Sequence, residues 1–225
     1  MPAPATLEEE AFGGAVARLA RLDARFGRLV ADWGVPPFWT HPPGFAGLVL
    51  AILAQQVSIE SARAAYAKLA RALGRVTAKR FLALDGEDLR AIGFSRQKAG
   101  YASGIAGQIA GGQLDLPALR RLHDEAARER LMQLRGVGKW TADTYLLFSL
   151  RRADVWPSGD LALEIAVSEL NGRRRKLATA TVDRMARDWR PLRAVAARLL
   201  WGQYLSRRGR LQAAQPGGVP RQKGA

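Results

Sequence analysis

Apolar residues recur at three- and four-residue steps along almost the whole chain, and no stretch alternates apolar with polar over a strand's length. That periodicity commits the fold to packed helices. From Leu7 to Val30 the series Phe12, Val16, Leu19, Leu22, Phe26 and Leu29 runs between Arg18, Arg21, Arg25 and Arg28, so one side suits a core and the other water. Gly34–Gly44, with four prolines and two glycines, breaks the pattern and reads as an irregular connector. Further helices are expected over Phe45–Gln55, Ser58–Leu73, Thr77–Leu84, Asp85–Ile92, Arg96–Ala110, Pro117–Leu122 and Asp124–Leu134. Lys139–Leu150, Leu161–Leu170, Thr181–Asp188 and Pro191–Ser206 complete the set. The expected fold is all-α, of about ten short helices, and so many short pieces argue against a long bundle.

Composition narrows what such a fold does. The 225 residues are 48% hydrophobic and 24% charged, enough for one globular unit or two small lobes. The chain has no cysteine, which excludes disulfides, thiolate-bound zinc, an iron–sulfur cluster and a cysteine nucleophile. Its two histidines, His41 and His123, are too few for a histidine-rich metal site and read as structural. No apolar run is long enough for a membrane span, and Met1–Glu10 lacks the basic and apolar regions of a secretory signal. A cytoplasmic protein is expected, associated with the nucleoid if the chain is bacterial. Thirty-five Lys and Arg against 20 Asp and Glu leave a net charge of +15, which attracts polyanions in a salt-dependent, sequence-independent way.

The segment from Leu134 to Ala142 gives that charge a place to act. An apolar-ended helix runs into Gly136-Val137-Gly138, and a new helix starts at once. Glycines permit the tight turn and remove β-carbons that would hold a phosphate away. The free N–H groups and dipole at the new helix start favour an anion, while Arg135, Lys139 and the Thr141 hydroxyl offer further contacts to a DNA backbone. Downstream, Asp154-Val155-Trp156-Pro157-Ser158-Gly159-Asp160 forms a Gly/Pro loop that ends in a carboxylate at the start of another helix. Asp160 is a natural cap for that helix, with Ser158 as a competitor.

Four pieces in this order resemble the helix-hairpin-helix–Gly/Pro-Asp superfamily of DNA glycosylases, and within it the DNA-3-methyladenine glycosylase II branch. They are Leu53-Ala54-Gln55-Gln56-Val57-Ser58, the Leu134–Ala142 hairpin, Asp160, and Trp189-Arg190-Pro191-Leu192-Arg193 leading to Trp201. The resemblance spans about Phe45 to Leu205. It implies a two-lobed fold. Residues 1–44 would pack with the C-terminal lobe 154–206, residues 45–153 would carry the hairpin, and 207–225 would be a basic flexible tail.

The resemblance also assigns roles. Asp160 would stabilise the oxocarbenium charge that develops when an N-glycosidic bond breaks, and would orient or deprotonate water. The base would be rotated out of double-stranded DNA, with Gln56, and beside it Gln55, wedging the gap. Trp140 and Trp201 would present aromatic faces to a cationic alkylated base, with Tyr145 and Trp156 as further candidates. The family's tyrosine one turn after Trp140 is Thr144 here. Arg193 matches an arginine near the active site. Main-chain carbonyls of Met132, Leu134 and Val137 would hold a structural Na⁺ or K⁺, and no other cofactor is implied.

Superfamily members that also cut the backbone carry a lysine two residues after the second hairpin glycine. That position is Trp140, and Lys139 is turned by about 100° from the required direction. The expected enzyme is therefore a monofunctional, monomeric glycosylase for 3-methyladenine-type purines that leaves an abasic site. The alternatives are a non-catalytic helix-hairpin-helix DNA-binding module and a glycosylase for deaminated or oxidised bases.

Overall fold

The computed structural model describes residues 5–211. The helices are α1 (Glu9–Leu22), α2 (Ala24–Trp33), α3 (Phe45–Leu53), α4 (Ile59–Leu73), α5 (Ala78–Phe81), α6 (Gly86–Ile92) and α7 (Arg96–Ala110). They continue with α8 (Asp124–Met132), α9 (Lys139–Phe148), α10 (Leu161–Leu170), α11 (Thr179–Ala186) and α12 (Arg193–Arg207). Short 3₁₀ turns occupy Pro117–Arg121 and Arg187–Trp189. Among the described residues there is no strand, only an isolated bridge between Thr6 and Arg152. None of these helices is long and apolar enough to cross a membrane.

The long helix expected from Leu7 to Val30 is two. Asp23 sits in an extended conformation, and its carboxylate accepts the Arg25 N–H, so it ends α1 and caps α2. The apolar period crosses this break without losing phase, which hides it from the sequence. The helix expected over Thr77–Leu84 shrinks to one turn, and Pro117–Leu122 is 3₁₀ rather than α. Arg207, where the tail was expected to begin, closes α12, and residues 212–225 lie outside the described residues.

The chain divides into two units. One comprises His41–Leu150, and the other joins Ala5–Thr40 to the segment from Arg151 onward. These boundaries differ by a few residues from the expected breaks at 44/45 and 153/154, for a backbone reason. His41 N–H donates to Phe148 O, tying the end of the Pro-rich connector to α9. Leu7 and Ala153 N–H donate to Arg151 O and Ala5 O, which ties residues 151–153 to the N-terminal segment.

In the first unit α3 is buried along nearly its whole length and is apolar all round, as a central helix must be. It packs on α4, α7 and α9, and Phe45, Phe81 and Phe94 meet edge to face beside it. Gly47 allows the Pro-rich connector to lie directly against α3, because a β-carbon there would run into the Pro42 carbonyl and the Ser149 hydroxyl.

In the second unit α12 is the central helix, packed on α1, α2 and α10. Gly202 gives Pro36 its seat, where a β-carbon would come within 2.9 Å of the ring. Arg198 is only 1% exposed. Burial pushes its guanidinium down to about 9, so it is still charged at neutral pH. It donates to the Trp39 carbonyl and lies 4.3 Å over the Phe38 ring, pinning the extended segment before Thr40 to α12.

Gly47→Ala is expected to destabilise the protein by roughly 1–3 kcal/mol through overpacking against backbone that cannot yield, read as a lower urea midpoint at unchanged slope.

Candidate DNA-backbone hairpin and aspartate loop

In the first unit α8 and α9 form a helical hairpin. Leu134 and Val137 point into the core and hold the turn down, while Arg135, Gly138 and Lys139 stay exposed. Gly136 has φ +85, and the Tyr101 ring lies so close that a β-carbon would run into it. Gly138 precedes α9, and no side chain caps that helix start. A β-carbon at Gly138 would meet nothing within 4 Å, so this side of the α9 start is open.

A buried ion-pair cluster locks the two hairpin helices. The wholly buried Asp143 carboxylate accepts from Arg128 Nε of α8 and, at 2.8 Å, from Lys139 Nζ one turn before it on α9. Burial works against the Arg128 charge, but Asp143 and Glu125 outweigh it and hold the guanidinium above its ordinary value. Lys139 is half-exposed, so it serves the lock and still presents charge at the hairpin.

Two expected contacts are corrected. Thr141 is buried, and its Oγ accepts from Gln55 Nε2 at 2.9 Å, so the hydroxyl braces α3 against α9 and does not reach out to a phosphate. Gln55 Nε2 also donates to Gly136 O at 2.8 Å, which makes Gln55 a tie between the α3 end and the hairpin and not a wedge. Gln56 is exposed with φ +54, a left-handed conformation uncommon outside glycine. The turn carrying it is fixed by Lys98, whose ammonium donates to Leu53 O at 2.7 Å and Gln55 O at 2.8 Å. Burial lowers the Lys98 pKa. Gln56, Lys98, Tyr101, Met132 and Gly136 share an open groove of about 540 Å³ along this face.

The carbonyls of Met132, Leu134 and Val137 are neutral oxygens, a donor set that suits Na⁺ or K⁺. Leu134 O already accepts the Val137 N–H at 3.0 Å and keeps a second lone pair, so its donor chemistry is compatible with such a cation. No cluster of three or more His, Asp or Glu among the described residues could hold a metal by side chains.

Burial sorts the aromatic candidates. Thr144 and Tyr145 are core residues of α9, 4% and 0% exposed, and burial pushes the Tyr145 hydroxyl up to about 12. They cannot offer a face to a base. Trp156 is 5% exposed, its ring edge-on to Trp189 at 5.4 Å, and is also core. Trp140 and Trp201 keep partly exposed indoles.

The second unit suspends the Asp154–Asp160 loop from α11 and α12. At its start Asp154 takes a forked contact from Arg193, Nε to Oδ1 and Nη2 to Oδ2, both 2.9 Å, and Arg193 Nη2 also reaches Asp154 O at 2.7 Å. Arg193 is thus a clamp on the start of the loop that ends in Asp160. In the middle, Asp183 of α11 accepts from Trp156 Nε1 and Ser158 Oγ. At the end, Asp160 Oδ1 accepts from Leu163 N–H at 2.9 Å and Trp201 Nε1 at 3.1 Å. Asp160 therefore caps α10, and Ser158 is used elsewhere.

Of the residues not anticipated, Asp143 had a legible signal, a carboxylate four residues after Lys139. Lys98 and Asp183 had none, because the partners of Lys98 are backbone atoms and those of Asp183 are 25 and 27 residues away in sequence.

A helical hairpin with an uncapped, open helix start, together with a Gly/Pro loop ending in a tethered carboxylate, defines a class. Residues 49–191 match the pattern of the HhH-GPD superfamily base excision DNA repair proteins, and the chain belongs to that superfamily. Among its relatives, DNA-3-methyladenine glycosylase 1 of Schizosaccharomyces pombe is 31% identical over 159 residues, 68% of this chain and 69% of that protein. The YfjP protein of Bacillus subtilis is 34% identical over 118 residues, 52% of this chain but only 41% of its own length. A solved structure of the S. pombe 3-methyladenine DNA glycosylase Mag1 in complex with abasic DNA superimposes with TM-score 0.77 at 28% identity, over 87% of this chain and 97% of that one.

Asp143→Asn strands the largely buried Arg128 charge and is expected to cost about 3–5 kcal/mol, whereas Lys139→Met, at a half-exposed position, costs below about 1 kcal/mol. Chemical denaturation of the two variants checks the contrast.

Proposed function

We propose that this chain is a monofunctional DNA glycosylase that hydrolyses the N-glycosidic bond of alkylated purines of the 3-methyladenine type in double-stranded DNA, leaving an abasic site. The observation that carries the reading is the tethering of Asp160: two donors on one carboxylate oxygen, at the end of a loop clamped at its start and middle. The names of the relatives support the substrate class, and the abasic DNA bound to Mag1 is the product such a reaction leaves.

A cationic alkylated base is already a good leaving group, so the protein's task is to meet charge developing on the sugar. The Asp160 carboxylate supplies that charge and orients or deprotonates the attacking water. Trp201, hydrogen-bonded to Asp160, sets an electron-rich ring beside the carboxylate, where a cationic base is attracted by about 0.5–2 kcal/mol. Trp140, in the first turn of α9, remains a candidate platform for the base. The first N–H groups of α9, with Gly136, Gly138, Arg135 and Lys139, hold the DNA backbone, and a Na⁺ or K⁺ on the carbonyls of Met132, Leu134 and Val137 would add positive charge there. Gln56 wedges the duplex. The position a lyase lysine would occupy is Trp140, and Lys139 is engaged by Asp143, so water is the nucleophile. The enzyme acts as a monomer, in the cytoplasm and at the nucleoid in a bacterial cell.

The capping bond from Leu163 N–H favours one rival, in which Asp160 only ends a helix in a DNA-binding module. Asp160→Asn separates the two, because asparagine caps as well as aspartate and still accepts from Trp201. The glycosylase reading expects methylated-base release to fall by about 10²–10⁴-fold with DNA affinity kept. Unchanged release overturns it. Strand cleavage before alkali treatment overturns the monofunctional assignment.

A further inference from the structure

Asp183 lies on α11, outside the hairpin and the Gly/Pro-Asp loop, yet its carboxylate is committed to the loop that ends in Asp160. Oδ1 accepts from Trp156 Nε1 at 3.1 Å, and Oδ2 accepts from Ser158 Oγ at 2.6 Å. Each oxygen takes one donor from the loop, and the two donors stand on either side of Pro157.

The loop needs such a partner. Among the described residues its backbone has no helical or sheet ladder: within the loop Ser158 N–H donates to Trp156 O at 2.9 Å and Asp160 N–H to Pro157 O at 3.3 Å, and its last carbonyl, Asp160 O, accepts from Glu164 N–H at 2.9 Å. Gly159, between Ser158 and Asp160, has φ +80 and open space around its α-carbon, so it is a swivel immediately before the carboxylate. Arg193 holds the loop at Asp154, and Leu163 N–H with Trp201 holds it at Asp160. Among the described residues, Asp183 supplies the side-chain bonds to the stretch between.

Asp183 also stands on fixed ground. Val182 and Ala186 on either side of it are buried, and α11 runs through the 3₁₀ turn into Trp189, whose ring meets Trp156 edge-on. The Trp156 indole is therefore gripped twice, its body by Trp189 and its N–H by Asp183.

We propose that Asp183 is a positioning residue: through Trp156 and Ser158 it fixes the loop and so sets where the Asp160 carboxylate stands. The proposal rests on the glycosylase reading of Asp160. Hydrolysis depends steeply on where the charge and its water sit, since a displacement of about 1 Å at a reacting group costs on the order of 100-fold. Losing Asp183 frees the swivel at Gly159 but leaves the end tethers at Asp160, so the expected loss is smaller.

The test pairs kinetics with amide exchange in the full chain. For Asp183→Ala, base release at saturating methylated DNA is expected to fall about tenfold while affinity for an abasic duplex stays within about twofold. Amides of Ser158 and Asp160 are expected to exchange about tenfold faster, with α12 unchanged. Asp183→Asn still accepts the indole N–H and can donate to Ser158 Oγ, so it is expected to recover release to within about threefold of wild type. Wild-type release by the alanine variant, with unchanged exchange at Ser158 and Asp160, overturns the proposal. So does an equal loss in both variants with exchange raised throughout the second unit, the mark of general destabilisation. If the wild-type chain releases no base, the glycosylase reading fails, while exchange at Ser158 and Asp160 still decides whether Asp183 fixes the loop.

Discussion

Short helices multiply helix ends, and each end leaves backbone N–H or C=O groups that must find partners. This constraint runs through the protein. Asp23, Ser58, Thr77, Asp85, Ser95 and Asp160 each cap the helix that follows with their own side chains. Lys98 does the same work at the opposite polarity, closing the carboxyl end of α3 and the turn beyond it. The two elements proposed to carry function are two answers to that requirement. At α9 the residue before the helix is Gly138, which has no side chain to offer, so no side chain caps that helix start and the proposed phosphate contact has room there. At α10 the cap is Asp160, and capping holds the carboxylate by one oxygen in a defined direction.

Capping and the proposed catalytic role are therefore compatible for Asp160. The Leu163 N–H and the Trp201 indole converge on the same oxygen, and the loop is clamped before it by Arg193 and Asp183. A carboxylate expected to meet developing positive charge must not swing toward it at the moment of reaction, because reorganisation would consume the stabilisation. In a chain of net charge +15, acidic groups are the minority, and several of them are used internally. Asp143 locks the hairpin, Glu164 holds Lys176 and Thr179, and Asp23 joins Arg25 and the Trp189 indole. The excess of arginine and lysine is left for the surface.

The sequence made the helical class, the hairpin and the aspartate loop legible because each rests on local rules: a period, a pair of glycines, a capping residue before an apolar run. Trp140 and Trp201, singled out as candidates from their places in the motifs, keep partial exposure in the structure. Sequence alone gave outward-facing roles to Gln55, Thr141, Thr144, Tyr145 and Trp156. Each is the right type of residue for a site, and burial or a distant partner turned it inward. The split at Asp23 escaped because the apolar phase continues across it.

By itself, then, the sequence determined that this protein is all-helical, basic, and equipped with a Gly136-Val137-Gly138 turn and a carboxylate at a helix start. Chain-neighbour chemistry is enough for those conclusions. Only the tertiary structure decided which polar side chains face outward and which are consumed as braces. Asp183 and Trp156 are 27 residues apart, Gln55 and Thr141 are 86 apart, and pairings at such distances follow from how helices pack, which no local pattern encodes.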